Sequence, residues 1–62
     1  MKITERLIQE HKSWRGGWKR RQIEALGLEW PLHKGWIARA EGKEVTEEQF
    51  NQFIQFGLEG EP

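Results

Sequence analysis

Cysteine, tyrosine and aspartate are absent from this chain, and serine occurs once, at Ser13. The first absence excludes a disulfide staple and a thiolate zinc site, and leaves cytoplasm as the default compartment. Covalent catalysis is poorly served as well. A Ser-His-acid set would have to be built from Ser13, His33 and a Glu, and Ser13 has no nucleophile-elbow context. The two histidines, His11 and His33, stand in different segments, and neither forms a recognisable zinc spacing with Glu10 or Glu29. No phosphate-cradling loop is written either, because Gly16-Gly17 leads into Trp18-Lys19 and not into a Lys-Ser/Thr pair. No run approaches the ~20 apolar residues that span a bilayer, and Met1-Lys2 does not open a signal peptide. The expectation is a soluble protein that is not an enzyme and holds no metal or cofactor.

What the chain does hold is aromatic: four Trp and three Phe in 62 residues. A chain this short lies near the lower size limit for a domain that folds unaided, so large rings must supply much of its burial. One domain is expected over residues 1–58, with residues 59–62 as a frayed acidic tail. The expected core anchors are Trp18, Ile23, Leu26, Trp30, Trp36, Ile37, Phe50, Phe53 and Ile54. Formal charge sums to zero, yet residues 1–39 carry nine Lys/Arg against four Glu (+5) and residues 40–62 one Lys against six Glu (−5). Such a division suits a basic surface for a polyanion or an acidic partner.

Local signals predict an all-α chain, a compact bundle of four short helices. Thr4 can cap a first helix over residues 4–12, with Ile3 and Ile8 spaced as a hydrophobic staple. Gly16-Gly17 breaks the pattern, and helical spacing returns from Trp18 to Leu26 before Gly27 stops it. Lys19, Arg20 and Arg21 crowd the start of this second helix, where the macrodipole disfavours cations. Trp30-Pro31-Leu32-His33-Lys34-Gly35-Trp36 forms a corner, and a third helix starts either at Pro31 or near Lys34. It runs through Ile37 and Ala40 to a stop at Gly42. Thr46-Glu47-Glu48-Gln49 is a capping box that opens a fourth helix, with Phe50, Phe53 and Ile54 as its apolar stripe and Gly57 as its end.

The second helix, its Gly27 turn and the third helix have the dimensions of a helix-turn-helix pair. Ile37-Ala38-Arg39-Ala40-Glu41-Gly42-Lys43, followed by the helix from Thr46 to Gly57-Leu58, resembles the end of the Cro-type repressor helix-turn-helix family. That resemblance spans residues 19–58 and implies a third helix lying in the major groove, with His33, Lys34 and Arg39 nearest the bases or phosphates. Arg15, Lys19, Arg20, Arg21 and Lys43 would then bind phosphates. Ile23 departs from the family's pattern, standing where a small residue lets the helices approach. A second run, Gln22-x-x-x-Leu26-Gly27-x-x-Trp30-Pro31-x-x-x-Gly35-Trp36 with Gly42-Lys43-Glu44-Val45-Thr46, resembles small phage- and prophage-encoded proteins of unknown function. It implies a viral or prophage source, hence the cytoplasm of a bacterial host, and no activity.

Two functions compete from these observations. The first, placed ahead because it explains the charge placement and the glycine-turn spacing together, is a small DNA-binding phage regulator using the eight basic and histidine positions named above. The other is an accessory module that binds a host protein through its basic face or exposed Trp, the composition favoured at interface hot spots. A membrane-surface role for residues 14–21 ranks last, because the glycine pair interrupts any amphipathic helix. A homodimer through Phe56 and Leu58 is compatible with either leading function.

Overall fold

Thr4 opens α1 (Glu5–Glu10), its hydroxyl accepting from the Leu7 N–H at 3.2 Å. Ile3 and Ile8, the staple pair, are both fully buried. The computed structural model describes residues 1–13 and 16–59. Three further helices follow: α2 (Arg20–Ala25), α3 (Trp36–Ala40) and α4 (Glu47–Leu58). There is no β-strand among the described residues, so the fold is an all-α bundle of four short helices.

The pairing of those helices differs from the helix-turn-helix expectation. α2 lies along α4 and α1 meets α3, whereas α2 and α3 do not pack on one another. Residues 26–35 separate them, far more chain than the three- or four-residue turn of that motif. The third helix begins later than either expected start. His33 and Trp36 close a turn (carbonyl to N–H, 3.0 Å), Gly35 takes φ 81°, and the helix proper starts at Trp36. Pro31 follows a cis peptide bond from Trp30 and stands before the helix, not in it.

The core gathers Ile3, Ile8, Leu26, Ala40, Val45 and Phe53, with Trp18, Leu28, Trp36, Ile37, Phe50 and Ile54 packed around it. Ile23 is fully buried too. Trp30 corrects the core expectation: 39% of it remains accessible, because the Trp-Pro corner swings it out of the bundle. A non-local element was not anticipated. Residues 1–3 run antiparallel to residues 42–45, with Ile3 N–H donating to the Lys43 carbonyl (2.9 Å), Val45 N–H to Met1 (2.8 Å) and Gly42 N–H to Ile3 (2.7 Å). The terminal ammonium adds a bond to the Val45 carbonyl at 2.8 Å and an ion pair with Glu44 at 3.2 Å.

Where α2 meets α4, a buried polar side chain joins them. Gln22 is fully buried, and its Oε1 accepts from the Lys19 N–H at 2.9 Å, satisfying one of the donors that the start of α2 leaves open. Its Nε2 donates to the carbonyls of His11 (2.9 Å), which caps α1, and Phe53 (3.1 Å), in α4. Gly57 was expected to end the fourth helix. Instead it lies buried inside α4, and a Cβ placed there would come within 2.5 Å of Gln22 Nε2 and 3.4 Å of the His11 carbonyl oxygen. Its missing side chain is what admits the Gln22 amide.

Gly57→Ala is therefore expected to destabilise the domain by about 1–3 kcal/mol, even though Ala is the better helix former. Gln22→Met, similar in size but unable to bond, should cost about 2 kcal/mol. Urea unfolding measures both. A Gly57→Ala midpoint equal to that of the unaltered protein would contradict the close approach.

Candidate functional site

Gly27 is the first residue to shape the corner. With φ at 76°, it closes α2 as a Schellman turn, its N–H donating to the Glu24 carbonyl (2.9 Å) and the Leu28 N–H to Ile23 (3.1 Å). The turn sends Leu28 off the end of α2 and toward α3. Leu28, Leu32 and Trp36, all half-buried, then join the buried Ala40 as the apolar lining of a half-open groove of about 290 Å³. Exposed Glu29, Pro31, His33 and Arg39 complete it. This volume lies at the lower end of small-ligand pockets, room for one or two side chains of a partner.

The groove wall is braced from behind. Trp36 meets Trp18 edge to face, centroids 5.1 Å apart and planes at 82°. Trp18 in turn donates its indole N–H to the Ile8 carbonyl at 3.0 Å, so both rings are tied to α1. His11 presses its edge on Phe50 at 5.5 Å and Phe53 at 6.3 Å, an interior packing role. His33 lies instead at the groove, its carbonyl engaged by Trp36.

The basic residues divide into sets with different surroundings. Lys19 caps α2 and reaches the carbonyl of Glu59. Arg20 pairs with Glu24 one turn on (3.1 Å), and Arg21 pairs with Glu59 (3.1 Å) while lying 4.2 Å over the Phe56 ring. The cations that oppose the α2 dipole are thus answered within the chain. Glu59, expected to fray, is the carboxylate that answers Arg21. Lys43 sits elsewhere, its side chain over Gly27 at the C-terminal end of α2, where the dipole favours a cation. Arg15 lies outside the described residues.

His33, Lys34 and Arg39 form the second set, at the corner and on α3. Arg39 Nη2 donates to the Lys34 carbonyl at 3.0 Å. Arg6, Arg20 and Arg21 each hold a glutamate. Among the described residues, Arg39 is the arginine that faces solvent without a carboxylate partner.

The groove itself was not anticipated as a site. Its signal in the sequence was the density of Trp, Pro and Leu between two glycine turns, read there as structural. A second depression, on the exposed face of α4, is lined by Glu47, Glu48, Asn51, Gln52 and Gln55 and is shallow and polar. No group of three or more His, Cys, Asp or Glu among the described residues is placed to hold a metal ion. No helix there is long and apolar enough to cross a membrane. No family model, no curated protein and no solved structure matches the chain.

The two corner tryptophans should respond differently to truncation. Trp36→Ala removes the ring that rests on Trp18 and is expected to cost about 3 kcal/mol, whereas Trp30→Ser, at a ring 39% accessible, should cost no more than about half as much. Thermal unfolding of the pair checks this. Equal losses would mean that Trp30, too, is a core anchor.

Proposed function

We propose that this chain is a non-enzymatic binding module that docks on another protein through the groove between Leu28 and Ala40. The observation that carries this reading is an apolar groove on a braced wall, with Trp36 in its lining and Arg39 at its edge. Tryptophan and arginine around a small apolar depression are the composition of an interface hot spot. The resemblance to small phage and prophage proteins supplies a setting, an accessory protein acting on a component of a bacterial host.

DNA binding, the competing reading, draws on the same exposed cations. Its support is weaker, because Arg20 and Arg21 already hold carboxylates and α2 and α3 are not paired as a reading head. A homodimer through Phe56 and Leu58 has less to recommend it on one side, since Arg21 covers the Phe56 ring, although Leu58 remains 52% exposed.

Affinity capture with nuclease treatment, run beside duplex titration at low salt, separates the two. Docking predicts a protein partner retained after nuclease and lost with Leu32→Ser, with no salt-steep duplex binding. Duplex affinity falling by about 0.9 log units per log unit of salt for each phosphate contacted would overturn it.

A further inference from the structure

We propose that the partner segment seated in this groove is an acidic peptide carrying an apolar anchor, whose carboxylate pairs with Arg39 while its anchor side chain enters between Leu28, Leu32 and Trp36. The inference rests on the docking reading above and adds the chemistry of the occupant. Its argument is charge complementarity at a groove whose lining is apolar. Arg39 lines the groove and is oriented by its bond to the Lys34 carbonyl, which engages one of the five guanidinium N–H donors. The remaining donors lie in the fork geometry that carboxylates accept in pairs. The other described arginines have such a partner, and Arg39 has none among the described residues.

Lys34 stands beside it, exposed, so the field at this side of the groove favours an anion. Glu29 also lines the groove and disfavors a second carboxylate beside it. The acid group of a seated segment is thereby directed to the Arg39 side. Phosphate is the poorer occupant, because Leu28, Leu32, Trp36 and Ala40 offer a surface that a sugar-phosphate backbone would leave unused.

The experiment titrates the full chain with three blocked hexapeptides, following the Trp36 indole N–H by NMR. The first is Glu-Glu-Phe-Leu-Glu-Glu, the second replaces every Glu by Lys, and the third replaces Phe and Leu by Ser; a short DNA duplex is the fourth probe. The acidic, apolar peptide is expected to bind at least about tenfold more tightly than either other peptide at low salt, with the advantage over the basic peptide shrinking as salt rises. Arg39→Gln should abolish the preference for acid, and Arg39→Glu should reverse it. Because Arg39 is exposed and makes no ion pair among the described residues, both variants are expected to fold, which the dispersion of their spectra checks.

Equal binding of acidic and basic peptides at Trp36 would overturn the charge assignment and leave groove docking standing. No peptide shift at Trp36 would overturn the proposed occupant. If the duplex alone perturbed Trp36 and the α3 resonances, the occupant and the docking reading would both fall.

Discussion

A single side-chain amide joins three of the four helices. Gln22 accepts from the first open N–H of α2 and donates to the carbonyl that caps α1 and to a carbonyl of α4, at a point with no exposure to water. Only a group with an acceptor at one oxygen and two donors at one nitrogen satisfies all three at once. Glutamate would accept from Lys19 but face two carbonyl oxygens. Methionine would make none of the three bonds, at a total cost of about 2 kcal/mol. The bond set works only because Gly57 presents bare backbone to it. In a domain with so small an apolar core, this polar brace fixes the relative placement of helices that hydrophobic contact alone would leave free to slide.

The groove follows from that placement. With α2 held against α4, its Gly27 turn delivers Leu28 to one wall. With α1 held at His11, the Ile8 carbonyl is in position to anchor Trp18, and Trp18 gives Trp36 an edge to rest on. The N-terminal residues pair with residues 42–45 and close the other end of the α3 segment, while Glu41 accepts from the Glu5 N–H at the start of α1 (3.2 Å). On the docking proposal, binding energy would then not have to be spent ordering the groove wall.

Much of the fold was legible because its signals are local. Thr46 and Gln49 form the full capping box that their spacing predicts, each bonding the other's N–H at 2.9–3.0 Å. Gly27 and Gly42 adopt the positive φ expected of helix stops. What failed was the inference across elements. A Gln on a helix is ordinarily solvated, so nothing local marked Gln22 as the joint, and a Gly near a helix end reads as a terminator until a close neighbour is seen. Counting cations gave a basic half, but not that Glu24 and Glu59 neutralise part of it. Trp30 looked like core because Trp usually is, and the direction of the corner could not be read from one proline. The groove needed Leu28, Leu32 and Trp36 brought together across a connection that no periodicity describes.

The most direct test of the Gln22 brace is hydrogen exchange of side-chain amides in the intact chain. The Nε2 protons of Gln22 should give resolved, slowly exchanging signals whose protection equals that of the most protected backbone amides of α4, since only global unfolding would expose them. The exposed Gln52 and Gln55 amides supply the reference for free exchange. Gln22 protons exchanging as fast as those would contradict the account.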